Sequence, residues 1–533
     1  MASCLSDLVK YQRLFQMIFV LGIGGSLQVG LQISMITYAS VLLAVPQCET
    51  EKEQYKDDVQ GLRFKKQQKS LVELWHVKKF INETWQERYG SPLHHETLML
   101  LWSFIVSVFG IGGLLGSMGS GYLTRKYGKK KCLMCNNLLM LSAAFVMGFS
   151  KTAKSFEMIL IGRLLCGISA GLGIPLHPQY AGEVSPKKLR GFANSTIPLF
   201  GALGKTLGQI MGQREYLGTE SLWPLLMASC GIAALVQLVT LPFFPESPPY
   251  LLMHKGDEEG CLKAMKQFWG EGTHQAEIDD MMKEKATMKS TKILSVLELM
   301  KEASLRWQLY TIIIIIVTLQ FCGINTIYVY AFEVLHTAGF GEDIIPYMSL
   351  SVGLCELLSS ILCSIIIEQL GRKRLLCGGY GIMALILASL TVTLALQDWF
   401  FWMPYCSLCL ILLYVIFFGI GPAGATISIR VEIFDQSSRP SAFVIGGALN
   451  WVGIFVIWMI FPFIVESLGQ FFFLIFMGIL VTSGIFIYRF LPETKGMSIT
   501  EIQEEFNKLN FRKKYVPAME KNVSEDYTFC TQL

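Results

Sequence analysis

Twelve runs of about twenty apolar residues, most of them separated by short polar loops, constrain this chain more than anything else in it. A run of that length spans the hydrocarbon core of a bilayer as an α-helix. The runs fall at 14–40, 98–123, 132–150, 156–180, 193–213, 222–245, 307–331, 344–367, 374–396, 400–429, 441–466 and 470–491. Charged residues make up only 16% of the chain, against about 25% in soluble domains. The expected class is an all-α membrane protein. The hydrophilic stretch Glu246 to Leu305 divides the runs six and six. The expected organisation is an N-terminal half at 1–245 with a loop at 46–97, a linker with short helices at 246–305, a C-terminal half at 306–491 and a tail at 492–533.

Several function classes lose support at once. A net charge of +4 with no basic face or arm argues against nucleic acid as a partner. Most of the fourteen cysteines lie inside apolar runs, so they predict no disulfide framework. Cys132-x-x-Cys135 and Cys406-x-x-Cys409 have metal-like spacing but no second ligand pair nearby, so no metal is expected. Gly110-Ile111-Gly112-Gly113-Leu114-Leu115-Gly116 imitates a dinucleotide loop. It sits inside an apolar run without a βαβ context, and close helix packing explains it better. No phosphate loop or catalytic triad appears, so neither an enzyme nor a cofactor is expected. Residues 14–45 are too long for the core of a cleavable signal.

Lysine and arginine set the orientation. Arg125, Lys126 and Lys129–Lys131 follow the second run, Lys187, Lys188 and Arg190 the fourth, and Arg372–Arg374 the eighth. These loops and both termini are expected in the cytoplasm. The first loop is then external and carries the glycosylation sequon Asn82-Glu83-Thr84. The sequons at Asn194 and Asn522 fall on the cytoplasmic side and should stay unused. Gln47 to Lys79 holds eight lysines and arginines, which is unusual outside, but long loops translocate with little regard to charge. This segment reads as a disordered insertion.

The chain repeats itself. Gly128-Lys129-Lys130 recurs as Gly371-Arg372-Lys373, 243 residues on. Glu183-x6-Arg190 recurs as Glu432-x6-Arg439, 249 on, and Pro245-Glu246-Ser247 as Pro492-Glu493-Thr494, 247 on. Three matches at nearly one spacing imply two related halves, and a site between such halves is a transporter arrangement.

The seventh run carries the polar residues of most interest. After Ile312–Ile316 and Val317 come Gln320, Cys322, Gly323, Asn325, Thr326, Tyr328 and Tyr330. No water reaches the bilayer core, so these groups face protein or a wet cavity. Gln320 and Asn325 are about 140° apart on an ideal helix and meet one ligand most easily if the helix breaks near Gly323. The other reading is amide–hydroxyl bonding between packed helices.

These motifs resemble the sugar-porter branch of the major facilitator superfamily. The resemblance rests on Gly162-Arg163-x3-Gly167-x3-Gly171, on Tyr180-Ala181-Gly182-Glu183 running on to Ser185-Pro186 and Arg190-Gly191, and on Pro245-Glu246-Ser247-Pro248. It continues in Glu368-x2-Gly371-Arg372-Lys373, Glu432-Ile433-Phe434-x4-Arg439-Pro440 and Pro492-Glu493-Thr494-Lys495-Gly496. Only 41–79 and the tail lie outside it. Cys355-Glu356-Leu357-Leu358 and Gly421-Pro422-Ala423-Gly424 look like class II facilitative hexose transporters. The resemblance implies a twelve-helix major facilitator fold and uniport of glucose, fructose or both across the plasma membrane, with a hexose and the lipid bilayer as partners. It leaves the oligomeric state open. A transport-weak sugar sensor and a proton-coupled symporter are the alternatives. Symporting relatives carry a carboxylate in the first helix, and Leu14 to Val45 contains none.

By position in the family pattern, Gln320, Asn325 and Asn450 are the expected sugar ligands, followed by Gln28, Gln32 and Gln209. Trp451 is a candidate to pack on the sugar ring, although an interfacial tryptophan is the commoner fate. The family's helix 5 glutamine is Pro198 here, its class I helix 10 tryptophan aligns with Ile427, and Leu319 replaces one of two paired glutamines. These departures favour fructose, or low-affinity transport of either sugar. The resemblance also implies an inner latch that joins helix bundles in the outward-facing state and separates when the protein opens inward, with Arg163, Glu183, Arg190 and Lys129 or Lys130 from one half and Glu368, Arg372, Glu432 and Arg439 from the other. Lys205 and Glu356 each lie about twelve residues, or roughly 18 Å, from the cytoplasmic end of their helices. One reading is that they form an ion pair across the halves or share a water at the site. The alternative is a snorkelling Lys205 and a locally bonded or protonated Glu356.

Overall fold

The computed structural model describes residues 11–39 and 76–510, apart from 187–188, 271, 273–274, 276, 280, 284–293, 331–333, 337, 342–343, 398, 436, 496 and 498. Twelve long helices appear among them: α1 (12–39), α2 (His95–Tyr127), α3 (Lys129–Gly148), α4 (Phe156–Val184), α5 (Arg190–Met211), α6 (223–240), α7 (306–329), α8 (Ile345–Leu370), α9 (Arg372–Ala395), α10 (403–432), α11 (Arg439–Leu468) and α12 (Phe472–Phe490). No strand occurs among the described residues. Each helix matches one apolar run to within a few residues. α5, with Lys205, Thr206 and Gln209 along it, is nonetheless a full 22-residue helix.

The end that carries Lys129 and Arg372 is called the basic end below, and the other the far end. Glycine lets α2 approach two helices at once. A Cβ on Gly112 or Gly116 would lie 2.3 or 2.2 Å from a carbonyl oxygen of α4, that of Leu164 or Ile168. One on Gly113 would lie 2.1 Å from the Trp451 ring of α11, and one on Gly110 2.8 Å from the Phe455 nitrogen. The glycine run is thus a packing device with two faces. Gly167 of α4 answers it, its missing Cβ being 2.2 Å from the Phe109 carbonyl oxygen. Backbone cannot step aside as a side chain can. Gly167→Leu is therefore expected to cost about 1–3 kcal/mol or more, read as a lower thermal midpoint of the purified protein.

The halves meet along the outer part of their facing surfaces. Phe109 stacks on Trp458 with centroids 5.9 Å apart, His95 lies 3.6 Å from Glu466, Gln213 donates to the Pro346 carbonyl at 3.1 Å and Tyr347 donates to Glu215 at 2.6 Å. All of these contacts lie between mid-membrane and the far end, so the molecule is sealed on that side.

Smaller helices dress the two ends. Glu258–Trp269, capped by Asp257, packs under the N-terminal half, where Trp269 donates to the Val184 carbonyl at 2.8 Å. Val296–Lys301 docks on the C-terminal half through Leu294, whose N–H reaches the Ser437 carbonyl at 3.1 Å. At the far end a helix covers His76–Tyr89. Its Val77 and Ile81 are fully buried, and Arg88 pairs with Glu157 at 2.6 Å. The disordered reading of Gln47 to Lys79 is therefore wrong over 76–79, because Val77 and Ile81 give that end an apolar face. Residues 40–75 lie outside the described set. Asn82 of the sequon is on this helix, and its Oδ1 accepts the Leu93 N–H at 2.9 Å.

Candidate functional site

The isoleucine run builds the first segment of α7, which ends at Phe321. Gly323 then takes φ 94°, a left-handed conformation, and a second segment begins at Ile324. Glycine alone enters that region without a steric penalty. The break frees backbone groups that lipid cannot satisfy. Tyr414 donates to the Cys322 carbonyl at 2.5 Å, and Thr326 to the Gly323 carbonyl at 2.5 Å.

The break also folds Asn325 back toward Gln320. Asn325 Nδ2 donates to Gln320 Oε1 at 2.7 Å, and Gln320 Nε2 donates to Asn450 Oδ1 of α11 at 2.6 Å. Gln320 is buried, whereas Asn325 and Asn450 are half-buried. Asn325 Oδ1 and Asn450 Nδ2 have no hydrogen-bond partner among the described residues. One acceptor and one donor, uncharged and held in place by a buried third amide, suit a polyhydroxylated neutral ligand.

The other expected sugar ligands fare differently. Gln28 is buried on α1 and its Nε2 has no partner. The Gln32 side chain is turned into its own half, with Nε2 3.8 Å from Met140 Sδ, while its main-chain carbonyl accepts from Arg163 at 3.2 Å. The rotation of α1 takes it away from the space between the halves. Gln209 Oε1 occupies the space a Cβ on Gly353 would need, 1.9 Å from it, at the α5–α8 seam. Trp451 is buried against Gly113, with Phe109 edge-on at 5.8 Å. Its ring is taken up in the seam between α2 and α11, so it is no platform for a sugar in this state.

Lys205 of α5 and Glu356 of α8 approach to 2.7 Å, both largely buried. The Lys205 ammonium also lies 4.1 Å from the centroid of the Tyr328 ring. Tyr328 is three residues beyond Asn325 on the second segment of α7. The pair therefore caps the amide cluster about one helical turn, or ~5 Å, nearer the far end. Tyr328 was not among the expected site residues. Its place in the polar tail of the seventh run was the only sequence signal.

At the basic end the two halves repeat one design. Lys129 pairs with Glu183 at 2.6 Å, and Ser247 donates to the same carboxylate. Arg372 pairs with Glu432 at 3.0 Å, and Thr494 donates to it at 2.5 Å. Gly128 and Gly371, at φ 86° and 89°, turn the chain into α3 and α9. Glu246 accepts the Lys130 N–H at 3.1 Å and Glu493 the Arg372 N–H at 2.9 Å, so each caps the first turn of a helix. Those capping roles were not read from the sequence, although the duplicated Pro-Glu-Ser and Pro-Glu-Thr were the signal for them. Glu493→Gln should destabilise the protein by about 1.5–3 kcal/mol, the range for hydrogen bonds to a charged group, as measured by thermal unfolding.

In this state, sealed at the far end, both ion pairs at the basic end form inside one half, as a latch that separates on opening at that end allows. Two of the expected latch residues are engaged differently. Arg163 is not at the basic end: it lies twenty residues before Glu183 on α4, roughly 30 Å away. There it is fully buried, donating to the Gln32 and Val106 carbonyls at 3.2 Å each, over the Phe109 ring at 4.7 Å. Arg439 bends back to the Phe434 carbonyl at 2.8 Å. The side chains of Arg190 and Glu368 lie outside the described set. In the same loop, burial would raise the Asp435 carboxyl. Hydrogen bonds from Ser438 and Ser437 and the charge of Arg439 outweigh this and hold it below the usual aspartate value. Its stabilising contribution is full above the unfolded value and is lost only as pH falls through the depressed one.

Comparisons with known proteins agree with this architecture. The family model described as Sugar (and other) transporter matches residues 17–506. The human solute carrier family 2, facilitated glucose transporter member 11, is 41% identical over 439 residues, covering 82% of this chain and 88% of that protein. Mouse member 9 is 41% identical over 435 residues, covering 82% and 81%. Horse member 5 is 40% identical over 434 residues, covering 81% and 87%. Among solved structures, the inward-open xylose transporter XylE from E. coli superposes with a TM-score of 0.70 at 20% identity, over 92% of this chain and 99% of that one. With the family model spanning nearly all twelve helices and relatives this similar, the chain belongs to the sugar transporter family and has the major facilitator fold.

Proposed function

We propose that this protein is a facilitative hexose uniporter that works by alternating access, with fructose or glucose as substrate. The reading takes the basic end as cytoplasmic, the membrane as the plasma membrane and Asn82 as a glycan site. The observation that carries it is the Gly323 break with its amide cluster. Gln320 fixes Asn325 and Asn450, which offer the site one free acceptor and one free donor. The far side is sealed above them by Lys205–Glu356, so sugar bound there exchanges with the cytoplasm. Separation of the far-end contacts then exposes the same amides to the outside. The absence of Asp and Glu from 14–45 favours uniport over proton coupling.

The test is uptake of labelled fructose and glucose by proteoliposomes, with and without a pH gradient, beside Asn325→Ala. Saturable uptake insensitive to the gradient and lost in the variant is the expected result. The ratio of the two sugars names the substrate. Acceleration by an inward proton gradient would replace uniport with symport. Well-folded protein that moves neither sugar would overturn the reading in favour of a sensor.

A further inference from the structure

On the outer surface of the C-terminal half, α9 and α12 enclose an apolar groove of about 440 Å³. One wall is Cys377, Gly381 and Ala388, and the other is Val481, Ile485 and Tyr488. The α9 residues follow helical spacing, and Cys377 to Ala388 spans roughly 16 Å. Leu385, Ile485 and Tyr488 at its rim are strongly exposed, as side chains facing lipid are. Gly381 leaves the floor open: a Cβ there would meet nothing within 4 Å.

Both walls end in a cation at the basic end. Lys373 lies four residues before Cys377 on the same stripe of α9, and its ammonium is 5.6 Å from the Tyr488 ring centroid. Arg489, exposed, lies four residues after Ile485 on the stripe of α12. The opposite end of the groove, at Ala388 and Met477, carries no charge. An apolar slot about as long as much of an acyl chain, closed at one mouth by two cations and a phenol, has the polarity of one anionic phospholipid.

We propose that this groove binds an anionic phospholipid of the leaflet at the basic end. One acyl chain lies between α9 and α12, and the phosphate sits at Lys373, Arg489 and Tyr488. Taking that leaflet as cytoplasmic rests on the orientation proposed above, but the binding itself does not depend on which sugar is carried or on transport at all. The two cations set the preference for charge, and the small-residue wall admits the chain.

The experiment is native mass spectrometry of the full-length protein, delipidated and offered equal amounts of phosphatidylserine and phosphatidylcholine with identical chains. The tightest-held lipid is expected to be phosphatidylserine by about tenfold, two surface cations being sufficient for such a bias. Lys373→Gln with Arg489→Gln should bring the ratio near one. Gly381→Phe, whose Cβ has open space and whose ring would occupy the groove, should reduce retention of both lipids, with thermal unfolding confirming that the variant is folded. Equal retention by the parent protein overturns the proposal. So does undiminished retention of both lipids in folded Gly381→Phe, which would place the lipid elsewhere. Displacement of phosphatidylserine by added sterol, or a second copy of the chain appearing instead of lipid, would give the groove a different occupant and also overturn it.

Discussion

Gly323→Ala is expected to lower sugar uptake at least tenfold while leaving the protein in the membrane. Two effects add. A residue with a Cβ at φ 94° pays about 1–2 kcal/mol for the left-handed conformation. That Cβ would also lie 2.4 Å from the Phe476 ring, and overpacking of this kind costs about 1–3 kcal/mol. The helix relieves both by straightening across the break, which carries Asn325 away from Gln320 and dismantles the amide cluster. Uptake by proteoliposomes measures the loss. Adding Phe476→Ala removes the ring but not the backbone penalty, so the double variant should recover only part of the rate. Full recovery would mean that the left-handed turn itself is unimportant.

Removing one partner of Lys205–Glu356 should shift the molecule toward opening at the far end. Truncating a buried ion pair costs about 3–5 kcal/mol because the remaining charge is stranded. Here the partners come from different halves, so the cost falls on the sealed state. Hydration of the lone charge after opening recovers part of it. At about 1.4 kcal/mol per tenfold, even half the cost moves the balance by more than tenfold. Spin labels at Thr219 and Phe401, near the far ends of the two halves, should report a longer distance in Glu356→Gln and in Lys205→Met. The swap of Lys205→Glu with Glu356→Lys should restore the shorter one. Unchanged distances in both single variants would reduce the pair to an incidental contact.

Depth along a helix was legible in the sequence, and facing was not. Counting residues from the basic end of each helix places Lys205 and Glu356 at one level, and the structure has them in contact. The same count puts Arg163 far from Glu183. Its membership of a glycine motif beside the latch residues carries no depth, which is why the motif alone misplaces it. The break at Gly323 was visible because polar residues crowd the end of an otherwise apolar run. Gln32 and Trp451 depend on rotation about the helix axis. In membrane helices apolar on all sides, as α11 is, hydrophobic pattern does not fix that angle. It is set by partners distant in sequence, such as Arg163 for Gln32 and Gly113 for Trp451. The ion pairs at the basic end follow the repeat, but the repeat does not say whether they close within a half or between halves.

The two glycine faces of α2 give one helix two separate kinds of vulnerability. Gly112 and Gly116 adjoin α4 of the same half, a seam that persists whichever way the molecule opens. Gly110 and Gly113 adjoin α11 of the other half, a seam that must part if the far end is to open. Side chains added on the first face oppose assembly, so they remove the protein from the membrane. Side chains added on the second oppose only closure at the far end, leaving a correctly built molecule held open there. Neighbouring positions in a single glycine run therefore govern different things, one the assembly of a half and the other the closing of the two halves on each other.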